Sequence, residues 1–209
     1  MIIAILLLLI LAACVGFLYS EGLWGNALRL ISAIVAALLA MNFYEPAADW
    51  LRGLWTGADF FWDFVAAWGI FAVCVLALCQ VADRLSRVKV RFLKIVDQIG
   101  SAVLSVLTGW VMVCFTLATL HMAPLGPTFL WGSFVPDKPM LFGLSPDDAW
   151  LNFVGYESEG PMVQGAEAGG KKPTVFESPA EFKLRYFKRR AALELQAGAT
   201  GSFLIEDKH

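Results

Sequence analysis

Four long apolar runs fill roughly the first 120 residues, and polar positions fall mostly in the short links between them. The runs cover Ile2 to about Tyr19, about Leu28 to Phe43, Phe60 to Val81, and Ile99 to about Met122. A bilayer core demands about 20 mostly apolar residues in a helix, because every backbone polar group must be paired internally where water is absent. None of the four carries a charge at its centre, so each predicts a transmembrane helix. Beyond Met122 the pattern changes. Pro124, Gly126, Pro127, Gly132, Pro136, Pro139 and Gly143 interrupt any regular helix. The expected fold is therefore all-α and polytopic: a four-helix transmembrane domain over 1–121, and an extramembrane C-terminal extension over 122–209 that is soluble and partly helical.

Trp24, Phe43, Tyr44, Trp50, Trp55 and Trp62 stand where span ends meet headgroups, whereas Trp68 and Trp110 lie deeper and predict packing between helices. Within Glu45 to Asp59, Ala47, Trp50, Leu51 and Leu54 recur at helical spacing just after Pro46, which predicts a short interfacial helix. The link between the third and fourth runs places Leu85, Val88, Phe92 and Ile95 at helical spacing, with Arg84, Arg87, Arg91 and Lys94 on the adjoining face. It reads either as a basic helix lying on an anionic leaflet or as a charged loop obeying the positive-inside rule. Both readings put the link in the cytoplasm, and with four crossings the tail and both termini then lie on the outer face.

Two tail segments carry helix-start signals. Ser145-Pro146-Asp147-Asp148 supplies a cap, a proline at the first helical position and two first-turn acids, predicting a helix over about 146–154. Ser178-Pro179-Ala180-Glu181 repeats the pattern with a capping-box acid, predicting a helix over about 179–197 that stops at Gly198. Tyr156 to Lys172 reads as a Gly-rich linker. The last helix sets Phe182, Tyr186 and Phe187 among Lys183, Arg185, Lys188, Arg189 and Arg190. It is either a solvated or membrane-skimming basic helix or a patch for an acidic partner.

Composition agrees with a membrane protein. The chain is 58% hydrophobic and its mean hydropathy is +0.66, well above soluble usage. A net charge of −2 supplies no basic field for nucleic acid. Cys14, Cys74, Cys79 and Cys114 sit inside apolar runs without a CxxC pair or flanking His, so no metal site and no cofactor is expected. Leu11-Ala12-Ala13-Cys14 resembles a lipoprotein cleavage site, but no Lys or Arg precedes it and the chain stays apolar through Tyr19, which favours a retained helix.

Small residues at four-residue spacing let helices approach closely in lipid. Ala12, Gly16 and Ser20 form one such stripe, Ala33, Ala36, Ala37 and Ala40 a second, and Ser101, Ser105 and Gly109 a third. Two polar side chains stand out. His121 has no acid at helical spacing and no glycine-framed serine, so it reads as structural rather than paired with Ser101 or Ser105. Asp97, at the mouth of the fourth run, either complements that helix's dipole, pairs with Arg29 or Arg91, or serves a functional role.

Several of these groups occur together in a known order. Gly16-Phe17 ends the first span, the turn from Gly25 to Leu30 leads into the second, Asn42-Phe43-Tyr44-Glu45-Pro46 closes an Ala-rich helix, and Asp97-x-x-Gly100 opens the fourth after a basic link. Over residues 1–121 this pattern resembles the colicin V production protein family. The family's acid near the start is absent here, Ser20-Glu21-Gly22 replaces its usual basic turn, and the tail from Met122 has no counterpart in it. The resemblance implies a bacterial cytoplasmic-membrane protein that supports production or export of a peptide toxin, or upkeep of the envelope, and it brings no catalytic residues. The expectation is a non-enzymatic protein that meets the lipid bilayer and either a second copy of itself or an envelope protein. Its candidate residues are Gly16, Gly25, Arg29, Asp97, Gly100, Ser101, Ser105 and Gly109. The alternative is an oligomeric transporter or channel component, with Asp97, Arg29 and the Gly/Ser face of the fourth helix lining a polar route.

Overall fold

The computed structural model describes residues 2–54, 61–85, 93–124, 144–159 and 176–206. The described residues form six α-helices: α1 (Ile2–Leu18), α2 (Gly22–Leu54), α3 (Trp62–Leu85), α4 (Lys94–Leu120), α5 (Pro146–Glu159) and α6 (Pro179–Glu206). Three helical stretches are long and apolar enough to cross a membrane: Ala4–Leu54, Trp62–Arg84 and Lys94–Leu120. The first of these contains both α1 and α2.

The helices differ from the expected runs mainly by being longer. α2 begins at Gly22 and passes through Pro46 without ending, so the interfacial helix expected over 45–59 is, as far as Leu54, the continuation of the second span. A proline inside a helix removes one N–H and crowds the carbonyl four residues back, here that of Asn42, whose side chain donates to the Leu38 carbonyl at 2.9 Å. At about 1.5 Å per residue, its 33 residues extend about 50 Å, more than the roughly 30 Å of a hydrocarbon core. α4 starts at Lys94 rather than Ile99, absorbing the end of the basic link; Arg87 and Arg91 lie outside the described residues. α5 runs on to Glu159, so Tyr156 to Glu159 of the expected linker are helical and the rest of it lies outside the described residues. α6 continues past Gly198 to Glu206, because a glycine weakens a helix interior by only about 1 kcal/mol and does not oblige it to end.

α2 and α4 are the central pair, with α3 packed on α2 and α1 on α4. Arg29 meets Asp83 at 3.3 Å and Arg52 pairs with Asp63, so α2 and α3 are antiparallel. Trp68 near the start of α3 donates to Thr119 near the end of α4 at 3.1 Å, which makes α4 parallel to α2. α1 runs against α4: Leu7 packs on Val113 and Leu117, Leu11 faces Gly109, and Tyr19 accepts a bond from Ser101. α1 and α2 therefore point in opposite directions. The chain reverses through a 3-10 turn, Tyr19–Glu21, and Gly22 at φ +80°, a left-handed conformation that favours glycine.

The core continues out of the transmembrane helices into the tail. Phe71 stacks on Phe115 with ring centroids 4.5 Å apart, and Trp150 of α5 meets Phe115 edge-on at 6.3 Å. Leu151, Val154, Phe182 and Tyr186 are buried in the same cluster as Ala37, Met41 and Tyr44. Burying these side chains contributes roughly 1.5–3 kcal/mol each, so α5 and α6 are held on the end of the helix pair rather than trailing from it.

Candidate functional site

Polar side chains gather at the two ends of the bundle. At the end where α1 turns into α2, Asp97 lies in the first turn of α4, where its charge complements that helix's dipole. Its Oδ1 also accepts the Leu23 N–H at 2.9 Å, capping the start of α2 from a different helix. A Cβ on Gly22 would stand 3.4 Å from both Asp97 carboxylate oxygens. One helical turn on, Ser101 donates to the Tyr19 carbonyl at 2.8 Å and accepts from the buried Asn26 amide at 2.8 Å, which also reaches the Ser101 carbonyl at 3.1 Å. Three segments, the ends of α1, α2 and α4, are thereby tied by side chains of α2 and α4.

The opposite end carries a larger network, where α5 and α6 meet the bundle. Asp63, only 3% exposed, accepts from Arg52, from Arg189, and from the Tyr186 hydroxyl at 3.2 Å. Arg185 donates to the Tyr44 hydroxyl at 2.6 Å and to Glu45 at 2.8 Å, forms an ion pair with Glu177 at 3.2 Å, and lies over the Tyr186 ring. Beside this, Asp147 Oδ2 takes both His121 Nε2 at 3.1 Å and Lys183 Nζ at 2.6 Å, while Lys183 also reaches Asp148 at 2.7 Å. Burial works against the Asp147 charge, but hydrogen bonds from His121 and Lys183 and the lysine's positive charge outweigh it and hold the carboxyl at about 2. Burial pushes the His121 imidazole below its ordinary range, against the pull of Asp147. At neutral pH the cluster therefore holds a neutral imidazole beside a lysine–carboxylate pair.

The expected site residues fall into different places. Asp97, Gly100, Ser101, Ser105 and Gly109 share the face of α4 that meets α1 and α2. Gly100 and Gly109 are close approaches: added Cβ atoms would lie 2.4 Å from Leu23 Cδ1 and 2.7 Å from Leu11 Cδ1. Gly25 faces only Glu21 of the preceding turn, and Gly16 has nothing within 4 Å of an added Cβ. Of the three small-residue stripes, those of α2 and α4 are buried, whereas Ala12, Gly16 and Ser20 face outward. Arg29 does not pair with Asp97; it takes Asp83 at 3.3 Å and Glu21 at 3.9 Å. In the basic link, Arg84 and Lys94 are both exposed.

The serines are likewise committed elsewhere than to His121. Ser105 bonds the Ala102 carbonyl, and His121 sits at the far end of α4 against Asp147, so no Ser–His pair forms. The basic residues of α6 are only partly solvated: Lys183, Arg185 and Arg189 turn inward onto Asp147, Glu45 and Asp63, leaving Lys188 exposed. Asp63, Tyr44 and Asp147 as partners of that helix were missed from sequence, since nothing in their local pattern distinguishes them from interface aromatics and first-turn acids.

Helices with three membrane-length apolar stretches and, among the described residues, ionised clusters at the ends of the bundle define a helical membrane protein. A family model described as "Colicin V production protein" matches residues 3–135, well over half of the chain, and the chain belongs to the colicin V production protein family. The match extends past the expected limit at residue 121 into the Pro/Gly-rich stretch. No curated protein matches the chain, and no solved structure does.

Proposed function

We propose that this chain is a non-enzymatic, multi-pass protein of the bacterial cytoplasmic membrane that supports toxin production or export, or envelope upkeep, by contact with a protein partner or a second copy of itself. Family membership carries the reading. The reversal at Gly22 supports four crossings, because α1 and α2 traverse the same layer in opposite directions within the stretch Ala4–Leu54. Arg84 and Lys94 at the turn end, with Arg87 and Arg91 between them in sequence, favour a cytoplasmic position for that end and an outer position for α5 and α6.

The use of α4's small-residue face argues for scaffolding over transport. Leu11, Leu23 and Asn26 fill the positions that would line a polar route, so a route in a single chain would have to displace packed side chains. Site-specific photo-crosslinking in the native membrane tests the proposal: a discrete protein neighbour is expected, and monomers alone under several growth conditions would contradict it. Purified protein in vesicles is expected to show no solute or ion flux; flux abolished by Asp97→Asn would establish the transporter reading instead.

A further inference from the structure

We propose that His121, Asp147 and Lys183 form an acid-sensitive latch that holds α5 and α6 on the end of α4 at neutral pH and releases them when His121 takes up a proton. Three helices meet at this cluster, each supplying one of its members. His121 follows the last residue of α4, 1% exposed, Asp147 opens α5, 1% exposed, and Lys183 lies in the first turns of α6, 4% exposed. A single carboxylate oxygen serves both the imidazole and the ammonium. The other, Oδ1, is buried with no hydrogen-bond partner among the described residues.

The charged groups around His121 are Asp147 on α5 and Lys183 and Arg190 on α6, with Asp148 beyond, paired to Lys183; Cys114, two turns back on α4, is buried. α2 and α3 meet α6 through Tyr44 and Asp63, which Arg185, Tyr186 and Arg189 already engage. With a neutral imidazole, two carboxylates balance two cations. A proton on His121 leaves one positive charge uncompensated in a buried junction, and desolvation makes that state costly.

The sign follows from linkage. His121 is harder to protonate when docked than when released, where its ordinary value is about 6.5, so docking is complete above that pH and weakens as pH falls below it. The opening equilibrium should rise up to about tenfold between pH 7.5 and 5.5. The other His, His209, stands at the end of the chain, and ordinary carboxylates titrate below about 5, so that window isolates His121.

The experiment is hydrogen exchange of the full chain in lipid nanodiscs, corrected for intrinsic rate and followed at the amides of 149–154 and 182–190 between pH 7.5 and 5.5. The expected result is a loss of protection approaching tenfold on acidification in the wild type and in His209→Gln, and a flat profile in His121→Gln, whose amide can still donate to Asp147. A wild-type profile that is flat, or one that His121→Gln leaves unchanged, would overturn the latch. Should His121→Gln lack protection already at pH 7.5, the wild type decides: an NMR titration of the His121 ring that coincides with the loss of α5 protection supports the proposal, and a titration at a separate pH overturns it.

Discussion

A Cβ on Gly109 would meet Leu11 Cδ1 at 2.7 Å, Cys14 Cβ at 3.3 Å and the Leu11 carbonyl at 3.4 Å, whereas one on Gly16 meets nothing within 4 Å. Both glycines sit in similar stripes, yet only the first is a helix contact. Gly109→Val should therefore cost about 1–3 kcal/mol through overpacking, and Gly16→Val less than about 0.5 kcal/mol, as read from thermal unfolding in detergent micelles. At the turn, Asp97→Ala removes an acceptor from the start of α2 and should cost about 1 kcal/mol; Asp97→Asn keeps an oxygen there and should cost less. Asp63→Ala removes the carboxylate that Arg52, Arg189 and the Tyr186 hydroxyl share, while Arg52 keeps Asp49 and the Tyr186 hydroxyl keeps that of Tyr44. Since both arginines are about a quarter to a third exposed, solvent screens part of the loss, and a weakening of α6 docking by at least about 2 kcal/mol is expected. Limited proteolysis between α5 and α6 would read it.

At the level of elements, the apolar runs were legible because a bilayer leaves no other solution for such stretches, and the Ser-Pro starts of α5 and α6 were legible because capping is local. The Ser178–Glu181 capping box is formed, with Glu181 N–H to Ser178 Oγ at 3.4 Å and Ser178 N–H to the Glu181 carboxylate at 3.3 Å. Two things were not legible. Pro46 looked like a boundary, but a long helix packed along Ala37, Met41, Tyr44 and Ala48 outweighs one lost hydrogen bond. The inward face of α6 was hidden because Asp63 and Glu45 lie more than a hundred residues away in sequence, so its basic pattern alone could not name its partners.

The docking of α5 carries its own acid dependence, distinct from that of the latch. Asp147 is held near 2 against an ordinary 3.8, so its contribution, about 2 kcal/mol, is full above pH 3.8 and is lost as pH falls toward 2. Asp147→Asn should show weakened α5 protection already at neutral pH and a flatter acid profile in hydrogen exchange.

For the whole molecule, the proposed topology divides the helices into a membrane layer and a head. α1 from Leu7 to Tyr19 lies beside α4 from Leu117 back to Ser101, a length of about 24 Å along α4 within the roughly 30 Å of a hydrocarbon core. Beyond it on one side stand the end of α2, the start of α3, α5 and α6, joined through Asp63, Tyr44 and Asp147; beyond it on the other stand the turn at Gly22 and the start of α4. Such a head would share its core with the transmembrane helices and place the buried His121 where head and membrane layer meet.

In the proposed topology the chain reverses at Gly22 and crosses four times, with Glu21 and Arg84 on one side of the membrane and Asp49 and Glu181 on the other. All four side chains are exposed. In a background lacking the four native cysteines, a membrane-impermeant maleimide applied to cells with permeabilised outer envelopes should label Asp49→Cys and Glu181→Cys at once, and Glu21→Cys and Arg84→Cys only after the inner membrane is opened. Labelling of Glu21→Cys and Asp49→Cys from the same side would contradict it.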